Sequence, residues 1–558
     1  MMKNRKLLSL FGGLFIVGVT ALTSCGGGDV AGAATIKWRD KEESLSFRRV
    51  RAARGYNDTK SSNRTLIIPV DFTDFPRENV YGNQREEDGA RIDLYKVNFG
   101  TAEENQWESL ASYYKKSSYG VADFQGAVAP WYTPKEQVTG EPYSAVDFGH
   151  AYSSAGAQQV LYAAYEFLWR SGYKQNFVIG YEAKGDGTHT PIYKTFATGA
   201  ECIKYFDRDE DGLIDNCQII YSAPYHLKDS EGQAVNDELF WAFRSITGDQ
   251  PRASMPKPFN YLWMSNEFFY DNGYWEGGTY KEYTTAQKIA NDDGHGKAIM
   301  DSHTLIHETG HALGAEDYYT NQSGDKEAAA QFVMMAYNVG DHDPWTKLLY
   351  GWTNPTVVYK PTTLTLSAFQ NDGDSTALIP LRGKWSEAGS KHTVADEYLM
   401  LEYYTPTGLQ EFDCEHNYKG NYPKGPTTPG LRIWHIDARL GEFDYSSGSV
   451  KFVKYTEELL SIDSGFTYFA NTNDGGDAKE QGIPVKNKLI SVINVKTSNS
   501  RGAFEMNTSG KGLSTENLLT KAGDTLKSSG WKFNSGKAFG YNIKLVSINA
   551  NEVVVQIG

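Results

Sequence analysis

Up to residue 355, apolar positions alternate between two spacings. The run "TLIIPVDFTDF" at 65–75 gathers β-branched and aromatic residues and predicts a buried strand. "WESLASYYKKSSYG" repeats apolar residues three and four apart and stops at Gly120, which predicts a helix; "VADFQGAVAPWYT" alternates as a strand does. "SSAGAQQVLYAAYEFLWRSGY" returns to helical spacing. After Pro355 the texture changes to short β-branched or alternating runs divided by Gly, Asn, Asp and Pro: "TVVYKPTTLTLSAF", "DEYLMLEYYT", "GLRIWHID", "KLISVINV" and "NEVVVQIG". The expected fold class is α+β over residues 63–355, followed by an all-β, sandwich-like region over 356–558 with room for a second small module.

A different pattern precedes these elements. "MMKNRK" is basic, "LLSLFGGLFIVGVTAL" is apolar, and "LTSC" closes the run at Cys25, as in an export signal. A small residue before a Cys at this point resembles the bacterial lipobox, which implies a signal peptide over 1–25, lipid attachment at Cys25 and anchoring to the cell envelope outside the cytoplasm. A plain secretory signal or an uncleaved anchor are the alternatives. Residues 26–62, with "RRVRAARG", are polar and charged and read as a tether or short pro-segment.

The 558 residues provide for two or three domains. Lys and Arg total 55 against 69 Asp and Glu, a net charge of −14, and no basic stripe with interleaved aromatics exists, so nucleic acid is excluded as a partner class. Three cysteines remain beyond Cys25. Cys202 and Cys217 bracket a short acidic loop and are the expected disulfide in an oxidising compartment, leaving Cys414 as the odd thiol.

The chemistry concentrates in "HTLIHETGHALGAEDYY", residues 303–319. On a helix, His307 and His311 emerge on one face one turn apart, and Glu308 lies beside the first; this is the H-E-x-x-H arrangement in which two neutral imidazoles hold Zn²⁺ and the carboxylate works on the catalytic water. Gly314 can end the helix in a left-handed turn and bring Asp317 back as third ligand. His303, one turn earlier, is then expected to pack or support rather than ligate. Downstream, Met335-Ala336-Tyr337 matches the Met-x-Tyr turn of metzincin-type peptidases, with Met335 packing beneath the ligands and Tyr337 able to approach an oxyanion. The 63–355 part is therefore expected to be zincin- or metzincin-like.

A second loop, "DRDEDGLIDNC", places Asp207, Asp209, Asp211 and Asp215 at positions 1, 3, 5 and 9, with Gly212 at 6 and Leu213 at the carbonyl position 7. Calcium is the expected ion, although Gln218 replaces the glutamate of an EF-hand at position 12 and a strand-like run follows.

Taken together, "IIPVDFTDF", "SYYKKSSYG", "DRDEDGLIDNCQIIYSAP", "ELFWAFRS", the H-E-x-x-H-x-x-G-x-x-D motif and "GDHDPWTKLLYGW" resemble the immune inhibitor A family of secreted bacterial metallopeptidases, with a looser likeness through "EYLMLEYYTPTGL" and "GLRIWHID". The chain departs from that pattern at Val333, where an acidic residue is expected before the Met pair, and in its short pro-segment. The resemblance implies an Asp third ligand, a structural aspartate loop and zinc-dependent cleavage of proteins or peptides outside the cell. Two other classes remain open: a surface lipoprotein binding glycan or protein on a zincin scaffold, and a zinc hydrolase of non-peptide amides or esters.

Overall fold

The computed structural model describes residues 35–37 and 62–558, the latter without 78–86, 185–188, 271–272, 277–278, 285–286, 288–298, 321–326, 330–331, 381–395, 417, 419–423, 445–448, 453–466, 470, 474–486, 496–516 and 530–531. The expected signal peptide and Cys25 lie outside the described residues.

The layout is mixed: helices with several sheets. The first sheet has seven strands in the order His189–Lys194, Phe177–Ala183, Asp123–Val128, Ser62–Val70, Asn216–Tyr221, Asn260–Ser265 and Phe243–Ile246. Its four central strands run parallel, and the flanking strands antiparallel. Parallel neighbours need a crossover. Helices Glu87–Phe99 and Leu110–Ser117 supply it between Ser62–Val70 and Asp123–Val128. Residues 65–70 of the expected run lie on a central strand that ends at Val70, and burial against helices on both faces explains their apolar character. Ile67 packs into the core that includes Leu110, Tyr113 and Leu305, while Leu66 and Ile68 enter the opposite core with Val160 and Leu161 of helix Gly156–Arg170.

The second sheet combines Thr356–Val358, Thr376–Pro380, Glu397–Tyr404, Gly430–Asp437 and Ile490–Val492, with Leu518–Leu519 beside Gly430–Asp437. Thr35–Lys37, inside the stretch read as tether, completes it by antiparallel pairing with Thr356–Val358. A four-stranded sheet of Thr362–Ser367, Glu552–Ile557, Ile543–Ile548 and Thr525–Leu526 packs on one face through Leu399, Leu401, Ile433, Val553 and Val555. The chain's C-terminal part thus contains two sheets face to face.

The other face of the second sheet is buried too. Tyr398, Met400, Trp434 and Ile436 belong to the same continuous core as Leu305, Ile306 and Met335, so residue 355 is not a break in packing. Alternation assigns the two faces: Leu399, Leu401 and Tyr403 turn to the sandwich, Tyr398, Met400 and Tyr404 to the first half of the chain.

One expectation is corrected. Cys202 and Cys217 are free thiols, as is Cys414. Cys217 sits on a central strand between Leu66 and Tyr261, and Cys202 on helix Gly199–Lys204; both are fully buried in one apolar cluster without a bridge. The acidic loop between them is closed by hydrogen bonds instead: Asp215 accepts the backbone N–H groups of Arg64 at 2.7 Å and Arg208 at 3.0 Å. Burial pushes the Cys202 thiol up to about 12, which keeps it protonated and unreactive.

Residues 63–355 expressed alone would expose the apolar surface that Met400 and Trp434 cover. Calorimetry of that fragment is expected to show no cooperative transition, whereas the chain from residue 34 melts cooperatively.

Candidate metal centre

Helix His303–Ala312 is buried along its length except for His311, which is half-buried. Gly314 follows at φ +106°, a conformation glycine adopts without the Cβ penalty. The N–H groups of Gly314 and Ala315 return to the carbonyls of His311 and Gly310, each at 3.0 Å, so the helix closes and the chain turns back. The turn brings Asp317 Oδ1 to 3.0 Å from His307 Nε2 and 3.1 Å from His311 Nε2, and the two ring nitrogens lie 3.1 Å apart. The three residues expected as zinc ligands are therefore brought together.

Backbone carbonyls set the orientation of both rings. His307 Nδ1 donates to the carbonyl of Met334 and His311 Nδ1 to that of Ala315, each at 2.9 Å. A carbonyl can only accept, so Nδ1 carries the hydrogen on both rings and Nε2 is the nitrogen left for a metal. Two imidazole Nε2 atoms and one carboxylate form the donor set of a catalytic zinc site with an open position, and the residues fit that ion.

Met335 packs directly against the helix. A Cβ on Gly310 would lie 2.4 Å from its Sδ, and its carbonyl accepts the N–H of Tyr318, next to Asp317, at 2.7 Å. Gly310 escaped the sequence reading; its signal was a glycine inside a helix, which costs about 1 kcal/mol relative to Ala unless close packing requires it. The carbonyl of Met334 carries no sequence signal at all. Tyr337 is placed differently from the ligands: its hydroxyl donates to Glu327 Oε1 at 2.9 Å, and its ring meets Tyr319 edge-on at 6.4 Å, while Tyr319 lies 6.3 Å from the His307 ring.

Electrostatics follow from burial and the shared carboxylate. Burial raises the Glu308 pKa, with Asp317 adding to the rise and the two histidines opposing it. Burial disfavours charge on His311, yet Asp317 outweighs it and lifts the imidazole to about 9. Asp317 itself, although burial opposes its charge, is held well below the usual carboxylate range by the two histidines.

In the aspartate loop, Asp207, Asp209 and Asp215 converge, whereas Asp211 turns back to accept the N–H of Leu213 at 2.8 Å and is not in that group. Leu213 pairs instead with Lys257 in a short parallel bridge. Gly212, at φ +87°, donates its N–H to Asp207 at 3.2 Å. Burial, then the neighbouring Asp209 and Asp207, raise Asp215 to about 7 against the backbone bonds that favour its charge.

Because His311 without a cation holds its proton up to about 9, metal uptake near neutrality must expel it. Zinc titrated calorimetrically at pH 7.5 in buffers of different ionisation enthalpy is expected to release about one proton, with the buffer dependence disappearing above pH about 9.5. Compared with known proteins, the chain matches no family model and none of the curated proteins.

Proposed function

We propose that this protein is a zinc-dependent endopeptidase resembling the immune inhibitor A type, with a zincin-like first half, exported and lipid-anchored through Cys25, that cleaves proteins or peptides outside the cytoplasm. The observation that carries the reading is the convergence of His307, His311 and Asp317, with both imidazoles committed at Nδ1 to backbone carbonyls. Zinc bound there supplies Lewis acidity towards a substrate carbonyl and makes a water easier to deprotonate.

The chain's own groups do the rest. Glu308 follows the first ligand, and burial raises its pKa, which favours a carboxyl able to take and return a proton. It takes the proton from the attacking water and delivers it to the leaving amine. Tyr337, separated from the His307 ring by Tyr319, is the phenol assigned to the developing oxyanion; its single O–H, given to Glu327 in this structure, turns from that carboxylate to do so.

A peptide is favoured over a small amide or ester by the antiparallel edge strand Phe243–Ile246. That strand contacts the histidine helix and is paired on one side only among the described residues. An extended substrate can add to such an edge through main-chain hydrogen bonds. Asn260, on the neighbouring strand, fixes the relation by donating to the carbonyl of Ala312 at 3.1 Å.

Calcium is proposed for the aspartate loop, through Asp207, Asp209 and Asp215, as a structural ion.

The deciding experiment uses Glu308→Gln. Zinc content is expected to stay at wild-type level while cleavage of labelled casein falls by about 10²–10⁴-fold; wild-type turnover in the variant would remove Glu308 from the mechanism. For the second ion, the sign follows from Asp215. Its folded pKa of about 7 lies above the unfolded value, so without a cation the folded form retains more protons between roughly pH 4 and 7. Its contribution to stability is then greatest at low pH and is lost as pH rises through 7. Calcium is expected to raise Tm more at pH 8 than at pH 5, and Asp215→Asn to remove the increment, as thermal melts with and without the ion will read.

A further inference from the structure

His303 precedes the first zinc ligand by one helical turn and is fully buried. Its Nδ1 is bonded to Asp301, and its Nε2 lies 3.3 Å from Asp413. A neutral imidazole has only one N–H, so two carboxylates facing both nitrogens call for the imidazolium. Burial opposes that charge, but Asp301 and Asp413 raise the group to about 10. Trp107 stacks on the ring at 4.2 Å, and Tyr418 lies 4.4 Å from it.

Asp413 comes from helix Glu411–Glu415, far along the chain in the β-rich part. Both Asp413 oxygens lie 3.3 Å from His303 Nε2, and one of them, Oδ2, also accepts the N–H of Gly340 at 2.7 Å. Gly340 leaves the turn that contains Met334 and Met335, and the carbonyl of Met334 is the acceptor that orients His307. One carboxylate therefore joins the start of the histidine helix to the exit of the Met turn, and the His307–Met334 bond lies inside the closed loop so formed. Asn338 adds a second tie between the same two segments, donating to Thr304 Oγ1 at 3.3 Å.

We propose that Asp413 is a positioning residue of the metal centre: by holding His303 and Gly340 together it fixes the Met turn against the histidine helix and so sets the direction in which His307 presents Nε2. The inference rests on the zinc reading above and adds that the β-rich half of the chain takes part in building the site. Packing alone does not account for the arrangement, because a buried carboxylate shared between a cation and a backbone N–H is costly to bury and directional once made.

The test uses the full chain and reads metal, not turnover. Zinc affinity is measured by competition with a chelator, and Co²⁺ loaded in place of zinc reports ligand geometry through its visible spectrum. Asp413→Ala is expected to weaken zinc binding about tenfold or more and to alter the cobalt bands, in line with the loss on removing groups that orient ligands. Asp413→Asn keeps the volume and one acceptor for Gly340 but not the charge facing His303. It is expected to fall between the two and decides the matter if the alanine variant does not fold. Val553→Ala, in the distant sandwich core, is the control: it is expected to lower Tm and leave zinc affinity and the cobalt spectrum as in wild type. Asp413 variants that bind zinc within twofold of wild type with unchanged cobalt bands, whatever their Tm, overturn the positioning role. Wild-type protein that binds neither ion overturns the zinc reading itself, and the positioning role with it.

Discussion

A helix that must present His307 and His311 to Asp317 on one side while being buried on the others is the constraint around which this molecule is arranged. His303–Ala312 has the first sheet on one side and the Met turn and second sheet on another, and all three belong to one apolar core. Its backbone is held from below as well. Tyr114 donates to the carbonyl of Ile306 and Tyr350 to that of Gly310, both at 2.7 Å. Such bonds keep long aromatic side chains compatible with full burial, since a phenol without a partner in that core is costly.

Charge inside the same core is handled by pairing. Lys347 is fully buried against Asp341 at 2.6 Å, and Asp341 also accepts from Ser117 at 2.6 Å. Arg432 sits beside Glu402 at 3.2 Å, and Glu402 accepts the indole N–H of Trp434 at 2.9 Å. Each pair lies within one half of the chain: Asp341 and Lys347 follow the Met turn, whereas Glu402 and Arg432 belong to the second sheet. Pairs of this kind are weak evidence for added stability, but breaking one leaves a buried charge uncompensated. Burial raises the Glu402 pKa, and Arg432 and Lys347 oppose that rise, so the two pairs meet electrostatically at this carboxylate. Asp413 provides a direct tie between the halves by accepting the N–H of Gly340 at 2.7 Å.

The aspartate loop shows the opposite situation. Three carboxylates converge at the edge of a buried strand, and burial first, then the neighbouring Asp209 and Asp207, impose a penalty on the charge of Asp215. A hard cation resolves it more completely than protonation does. Since Asp215 also receives the N–H of Arg64 at the start of the central strand, an ion there would brace the sheet that carries the histidine helix.

Local chemistry made part of this legible in the sequence. The spacing of His307, His311, Gly314 and Asp317 fixes a helix, a left-handed exit and a returning carboxylate, because each step depends on neighbours in the chain. The central strand through residues 65–70 and the β texture beyond residue 355 were readable for the same reason, since periodicity is a local property. What depended on distant residues was not. The sandwich and the histidine helix share the second sheet, because "EYLMLEYY" buries both faces, and a continuous apolar run does not say what covers each. Cys202 and Cys217 suggested a bridge by proximity in sequence, but a strand and a helix hold them as separate thiols. Which of the loop aspartates come together was likewise decided by folding: Asp207, Asp209 and Asp215 converge, while Asp211 Oδ1 accepts the N–H of Leu213. The acceptors of His307 Nδ1 and His303 Nε2 lie 27 and 110 residues away, one a backbone carbonyl and the other an aspartate in the β-rich part. The sequence thus determined which side chains could bind a metal, and tertiary packing decided which way they point.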